Sequence, residues 1–217
     1  MTSRFSVALP LELAFNRRVA MAAEIVDGVT LLPVTSGLMV SATGLRLDPI
    51  VNSSGYYVWL EEEDREAQDI VVEVPPLSPY RSARATSLAL PEFRRIELSP
   101  TERYRFSPGV TALRGTLRES RYGTPRPVAE AKVRLQWSGD SCWTDAPLAS
   151  ISAASGDFGA ALRLRPSAEP RELGGGAIAV RLLVRRDTQV RTSAEIALRQ
   201  GTVTSRPEPF VWDELQP

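Results

Sequence analysis

The sequence predicts an all-β protein made of two tandem antiparallel Greek-key β-sandwich domains, and three observations support this. Seventeen prolines and fourteen glycines are scattered through the 217 residues as turn signals. Between them apolar and polar residues alternate, as in Ala131, Val133, Leu135 and Trp137, which is typical of half-buried antiparallel strands. Short strands separated by turns indicate a sandwich or a barrel. The third observation is that one order of motifs occurs twice.

Each copy of the repeat has an alternating strand that ends in an acidic residue, then a turn and a Pro-Val pair, and later a Ser-Gly turn before an aromatic residue. The first copy contains Asp27, Pro33-Val34 and Ser54-Gly55-Tyr56, and the second contains Glu119, Pro127-Val128 and Ser155-Gly156-Asp157-Phe158. Proline fixes φ at a strand start, and glycine supplies the positive φ that the turn needs. The repeat therefore predicts two domains of one kind.

The remaining elements follow from local pattern. The charged segment 61–68 lacks the apolar stripe of a helix and is predicted to be a solvated hairpin tip, followed by a strand in "DIVVEV". Residues 98–110 are predicted to form a short, stiff linker, with a boundary near Ser107. The predicted domains are 1–106, with an N-terminal arm, and 107–217. Trp59 and Trp137 are predicted in the cores, and Phe210 and Trp212 are predicted to close the second domain.

These motifs resemble the carboxypeptidase regulatory-like family, within the transthyretin-like (prealbumin-like) group of seven-stranded Greek-key sandwiches. The second copy carries the resemblance through Pro127-Val128, Ala131-Lys132-Val133 and Ser155-Gly156-Asp157-Phe158. The first copy carries it through Pro33-Val34, Gly37 and Ser54-Gly55-Tyr56-Tyr57. The resemblance implies non-catalytic modules that are appended to larger proteins and assemblies, and thus a packing or binding role.

Composition argues against several classes of function. The 26 basic and 26 acidic side chains give no net charge to attract nucleic acid or an anionic membrane. Histidine is absent, and Cys142 is the single cysteine, so the usual catalytic bases and metal clusters are missing. Asp27, Asp140, Asp145 and Asp157 are predicted to be turn residues, and "LGGGA" a hairpin loop. We expect no enzyme activity, no cofactor and no metal site.

The N-terminal arm is the most apolar segment outside the repeat. Its apolar residues alternate, and those considered as partner contacts are Phe5, Val7, Leu9, Leu11, Leu13 and Phe15. Pro10 and Glu12 interrupt the run, which argues against a signal peptide, and no stretch has the length of a membrane span. We expect a cytoplasmic or particle-associated protein. The arm either adds a strand to its own domain or docks on a neighbouring subunit.

Two functions from different classes remain open. The first is a structural or adaptor protein that binds protein partners in a bacterial multiprotein assembly, for example an accessory part of a phage-tail-like contractile injection system. The second is a carbohydrate- or peptide-binding module that uses a long loop predicted at residues 138–149, with Trp143 as an exposed contact. A hydrolase working with Asp and Glu alone is disfavoured, since no metal-loop spacing or paired-acid motif is present.

Overall fold

The computed structural model describes residues 19–60, 69–86, 93–122, 124, 126–139, 142–164 and 167–217. In these residues the chain forms seventeen β-strands and one short 3-10 helix. The first seven strands are β1 Val19–Asp27, β2 Met39–Ala42, β3 Ile50–Val51, β4 Tyr56–Leu60, β5 Asp69–Glu73, β6 Ala83–Thr86 and β7 Phe93–Leu98. No helix in the described part of the chain is long and apolar enough to cross a membrane.

The first seven strands form the first unit, in two facing sheets. Sheet I has the order β3-β4-β1-β7, and sheet II has the order β2-β5-β6. Alternate residues of both sheets point inward, which is how a sandwich buries one face of each strand. The core includes Met21, Ala23, Ile25, Val40, Ala42, Tyr57, Trp59, Ile70, Val72, Ile96 and Leu98. The predictions of a strand in "DIVVEV" and of a buried Trp59 are confirmed.

The remaining strands form the second unit. They are β8 Thr111–Arg118, β9 Lys132–Ser138, β10 Trp143–Ile151, β11 Asp157–Leu162, β12 Glu172–Gly174, β13 Ala177–Arg186, β14 Gln189–Thr192, β15 Ile196–Arg199, β16 Val203–Ser205 and β17 Phe210–Val211, followed by the 3-10 helix Trp212–Glu214. Sheet III has the order β11-β8-β16, with β17 also on β8, and sheet IV has the order β10-β9-β13-β12, with β14 and β15 also on β13. Phe210 and Trp212 are buried in the core between these sheets, as predicted, and Trp137 packs against it half-buried.

After its first strand, each unit forms the same kind of backbone hydrogen bond. The Val34 N–H donates to the Ile25 carbonyl at 2.8 Å, and the Val128 N–H donates to the Leu117 carbonyl at 3.0 Å. In both units the Pro-Val pair thus brings the chain back beside the strand it has just left. The sequence repeat is therefore also a structural repeat at this turn.

The Ser-Gly turns are equivalent as well. The Gly55 N–H donates to the Asn52 carbonyl, and the Gly156 N–H to the Ala153 carbonyl, both at 2.9 Å. Gly55 has φ of 82° and Gly156 has φ of 83°, a conformation that glycine adopts at no steric cost. A Cβ on Gly156 would lie only 2.3 Å from the Leu117 carbonyl oxygen, so this turn requires glycine for space as well.

The prediction of an all-β sandwich fold is confirmed, with two differences in detail. Most strand pairs are antiparallel, but β7 runs parallel to β1, and β16 and β17 run parallel to β8. The predicted loop at residues 138–149 is wrong, because β10 begins at Trp143 and pairs with β9. Ala146 and Leu148 of β10 are buried, and Pro147 between them interrupts the pattern that predicts a strand.

Candidate functional site

An apolar cluster joins the two units where the linker passes between them. Its buried members are Val29 from the first unit, Tyr104 from the linker, and Ala112, Leu148 and Ala161 from the second unit. Because buried apolar contact favours one relative position of the two units, the junction restricts their motion more than a solvated linker would. The sequence predicts a short, stiff linker here, and the structure shows that it is partly buried at Tyr104.

Asp27 lies at the centre of this junction and is only 6% exposed. Its Oδ1 accepts a hydrogen bond from the Val29 N–H at 2.7 Å, which is the turn role that the sequence predicts. Its Oδ2 accepts hydrogen bonds from the Tyr104 hydroxyl at 2.5 Å and the Tyr80 hydroxyl at 3.2 Å. A buried carboxylate needs such donors to offset the loss of water. Asp27 thereby connects the first unit to the linker.

The same contacts keep both tyrosines protonated. Burial raises the pKa of Tyr80 to about 12, and the charge of Asp27 and the hydrogen bond to it add to this shift. Burial also raises the pKa of Tyr104 well above its usual value, with the hydrogen bond to Asp27 as the second cause. A tyrosine hydroxyl must hold its proton to donate it to a carboxylate. Both hydrogen bonds are therefore retained across the neutral pH range.

At Gly28 the backbone of the first unit lies close to the Leu148 side chain of the second unit and to its own Leu98 carbonyl. A Cβ built on Gly28 would lie 2.6 Å from the Leu148 Cδ1 of the second unit and 2.6 Å from the Leu98 carbonyl oxygen. The Gly28 N–H donates to that carbonyl at 3.0 Å. Only a residue without a Cβ allows this contact at the junction.

Two arginines add polar contacts between the units. Arg163 donates from Nη1 to the Gly28 carbonyl at 2.7 Å and from Nη2 to Glu97 at 2.8 Å. Arg81 pairs with Glu130, with an Nη1–Oε2 distance of 3.0 Å. Arg81 also donates from Nη2 to the Ser152 carbonyl at 3.3 Å, so each arginine makes one partly buried hydrogen bond to a backbone carbonyl of the other unit. Exposed pairs such as Arg81–Glu130 contribute little stability, about 0–1 kcal/mol.

Trp143 begins β10 and does not lie in an exposed loop. It is half-buried, and the Arg181 guanidinium carbon lies 4.6 Å from the centroid of its ring. The Arg181 Nε donates to Gln136 at 2.6 Å, and Gln136 donates in turn to Asp145 at 2.6 Å. One face of the Trp143 indole is thus covered by a cation that is held in place, which leaves less of the ring for a ligand.

The other polar residues that the sequence singled out have local partners. Burial alone would raise the pKa of Asp145, but hydrogen bonds from Gln136 and Arg134 bring it below its usual value. Asp157 accepts hydrogen bonds from Thr116 and from Ser155, both at 2.7 Å. Among the described residues no group of three His, Cys, Asp or Glu side chains could hold a metal ion.

Several predicted sites lie outside the described residues. These are Asp140, the acidic segment from Glu61 to Glu66, and the six apolar arm residues Phe5, Val7, Leu9, Leu11, Leu13 and Phe15. Cys142 is described and exposed, with its Sγ 4.0 Å from the Thr144 Oγ1. The role of the six arm residues as partner contacts stays a prediction.

Exposed apolar side chains are concentrated on the first unit. Of the thirteen large hydrophobic side chains that are exposed among the described residues, nine belong to it, namely Val19, Leu31, Leu32, Met39, Leu47, Ile50, Val51, Leu77 and Phe93. Leu77, in the turn between β5 and β6, is 75% exposed. Exposed apolar side chains are positions that another chain or a ligand can cover. The sequence did not predict this asymmetry between the units.

The chain matches no protein-family model and no curated protein sequence. Among solved structures it is similar to a streptococcal ancillary pilin at 12% sequence identity, with a TM-score of 0.29. The match covers 87% of this chain, and the chain spans 62% of the length of that pilin chain. A similarity this low assigns neither a shared fold nor a shared function.

Proposed function

We propose that this chain is a non-enzymatic structural or adaptor protein that presents β-sandwich surfaces to protein partners in a larger bacterial assembly. The observation that carries the proposal is the concentration of exposed apolar side chains on the first unit. The buried junction at Asp27 supports it, because two units in a fixed relative position present one surface geometry to a partner. A chain without net charge relies more on apolar contact than on electrostatic attraction for such binding.

We also propose that the two units are carboxypeptidase regulatory-like or transthyretin-like domains, with the boundary between residues 106 and 107. The shared hydrogen bonds after the Pro-Val pairs and in the Ser-Gly turns support a common ancestor for the two copies. An accessory part of a phage-tail-like contractile injection system, cytoplasmic or particle-associated, is the setting that we propose for tandem modules of this kind. Of the predicted contacts, Trp143 would bind through the exposed part of its ring.

The first test is the native size of the protein in lysate of its own host. We expect gradient sedimentation to place it with a particle much larger than the 23.8 kDa chain, and mass spectrometry of that fraction to identify its neighbours. Sedimentation as a free chain in a gentle lysate would overturn the proposal. That outcome would favour the carbohydrate- or peptide-binding alternative, which ligand arrays would then test.

A pair of variants locates the surface. Leu77→Asp places a charge on the exposed apolar surface of the first unit, and we expect it to release the chain from the particle. Leu173→Asp is the matched control, since Leu173 is exposed on the β12–β13 hairpin of the second unit. Both side chains are solvent-accessible, so neither change should unfold the protein. Equal retention of both variants would contradict the assignment of the first unit as the contact surface.

A further inference from the structure

The linker covers one outer surface of the second unit. Phe106 lies against Gly159 of β11, where an added Cβ would be 3.1 Å from the phenylalanine ring. Tyr104 packs beside it, with ring centroids 5.0 Å apart, and contacts the cluster that contains Ala112 and Ala161. Ala112 of β8 and Gly159 and Ala161 of β11 belong to the face of sheet III that points away from the core. The segment immediately before the first strand of the unit therefore covers the outer face of its sheet.

Arg114 of β8 fixes the linker in this position. Its Nη1 donates to the Glu102 carbonyl at 2.8 Å, and its Nη2 donates to the Tyr104 carbonyl. Its guanidinium carbon also lies 5.1 Å from the centroid of the Phe106 ring. The linker is held by its backbone and by its aromatic side chains, so this covering is a specific arrangement.

The corresponding outer face in the first unit is more exposed and carries an apolar row, with the Glu24–Arg95 ion pair in the next row of the same face. Ile50, Val58, Ala22 and Phe93 follow one another across β3, β4, β1 and β7 in a single cross-strand row. Ile50 at one end of the row is 57% exposed, and Phe93 at the other end is 46% exposed. Tyr56 extends this surface, with its ring 5.3 Å from that of Phe93 in an edge-to-face arrangement. We call this surface the outer face of sheet I.

The structural repeat makes the two faces equivalent. Val58 pairs with Ala22 in sheet I as Gly159 pairs with Arg114 in sheet III. In the second unit this position lies under Phe106. In the first unit, the segment that precedes the first strand is the N-terminal arm. Small side chains at Ala20 and Ala22 of β1, flanked by larger ones on β4 and β7, leave room above the central strand.

We propose that residues 5–15 of the same chain pack on the outer face of sheet I, as the linker packs on sheet III. Their alternation places Phe5, Val7, Leu9, Leu11, Leu13 and Phe15 on one side of an extended segment. Eleven extended residues span about 35 Å, and the nine residues of β1 span about 30 Å, so the lengths match. In the sequence, the polar residues Asn16, Arg17 and Arg18 lie between this segment and Val19, where the proposed packing requires the chain to reverse.

Covalent attachment favours this occupant over a second copy of the chain. The arm joins β1 at the end of the face that it would cover, so its effective concentration is of the order of millimolar. A neighbouring copy competes with this only at a similar concentration of protein. The inference goes beyond the proposed function, because packing of the arm within one chain does not require the assembly. It assigns Ile50 and Phe93 to the arm, so the exposed apolar side chains outside this face, such as Met39 and Leu77, remain for a protein partner.

The test is photo-crosslinking of the full chain with p-benzoylphenylalanine in place of Leu11. The purified protein is mixed from unlabelled and ¹⁵N-labelled preparations, and the joined peptides are identified by mass spectrometry. We expect products with β1, β4 or β7 peptides, at least tenfold enriched in pairs from one isotopic preparation. The control places the same probe at Glu12, which the alternation directs away from the sheet and which should give several-fold less of these products.

A second pair of variants tests the face itself. Phe93→Glu should reduce the crosslink from position 11 several-fold, and Met39→Glu, on an exposed position of sheet II, should leave it unchanged. Products that contain both isotopes in major yield would overturn the proposal in favour of docking on a second copy. Products that lack sheet I peptides, or equal yields from positions 11 and 12, would overturn the packing itself.

Discussion

Replacing Asp27 with alanine tests whether the junction is a major source of stability. The change removes the acceptor of four hydrogen bonds, from the N–H groups of Val29 and Thr30 and from the hydroxyls of Tyr80 and Tyr104. A hydrogen bond to a charged group contributes about 1.5–3 kcal/mol, and a buried donor without a partner costs about 1–3 kcal/mol. Tyr80 is half-buried and can recruit water. The two buried donors therefore predict a loss of about 3–5 kcal/mol in the free energy of unfolding.

The assay is equilibrium urea unfolding followed by tryptophan fluorescence. Trp59 is buried in the first unit and Trp212 in the second, so the change in signal covers both cores. The matched control is Asp213→Ala, whose side chain is 65% exposed and lies 4.0 Å from Arg191 on the surface. We expect the control to lose no more than about 1 kcal/mol. A midpoint shift without a change in slope would identify an effect on stability alone.

Single hydroxyl deletions then apportion the effect. Tyr104→Phe removes a buried hydrogen bond of 2.5 Å, and we expect a loss of about 1.5–3 kcal/mol. Tyr80→Phe removes a longer, partly exposed one of 3.2 Å, and we expect no more than about 1 kcal/mol. A loss below about 1 kcal/mol for Asp27→Ala, or a larger loss for Tyr80→Phe than for Tyr104→Phe, would refute the reasoning.

Three further predictions concern the turn, the junction and alkaline pH. Gly156→Ala should lower stability by about 3 kcal/mol or more in thermal unfolding, because its Cβ would meet the Leu117 carbonyl oxygen. The control Gly174→Ala, at φ of 88° with open space around it, should cost only about 1–2 kcal/mol of backbone strain. Similar losses for the two variants would contradict this. Arg163→Ala should separate the unfolding of the two units into two calorimetric transitions, and an unchanged single transition would show that the apolar cluster suffices. Because the pKa of Tyr80 is raised in the folded protein, it contributes stability that is present below pH 10 and is lost as the pH rises towards about 12. The unfolded fraction and the phenolate absorbance at 295 nm should therefore rise together between these pH values. Full ionisation of the tyrosines in the folded protein would contradict this.

The sequence predicted the features that depend on neighbours along the chain. The turns at Gly55 and Gly156 were identifiable because a positive φ restricts the residue type, and that restriction is visible in one copy and again in the other. Trp59 was placed in the core by its alternation alone. Each of these predictions concerns a constraint that acts within a few residues, which is why period and turn chemistry were enough.

The segment before and within β10 shows where such reasoning fails. The sequence predicts a loop over residues 138–149, but β10 is an edge strand of sheet IV. An edge strand tolerates a proline such as Pro147, because one side of it donates no ladder hydrogen bonds. The register shift between Asp145 and Ala149 accommodates the proline. Strand order within a sheet is a long-range property, and the local pattern held no information about it.

Asp27 and Glu119 show why the junction, too, was beyond local pattern. Both are acidic residues at the equivalent position of the repeat, at the end of the first strand of each copy. Glu119 lies at the surface and pairs with Arg186 at 3.0 Å. Asp27 is buried because Tyr80 and Tyr104 pack against it. These tyrosines lie 53 and 77 positions after Asp27 in the sequence. The repeat determines the turn in both units. Of the two turns, the one at Asp27 contacts the linker, and this contact makes Asp27 the centre of the interface between the units.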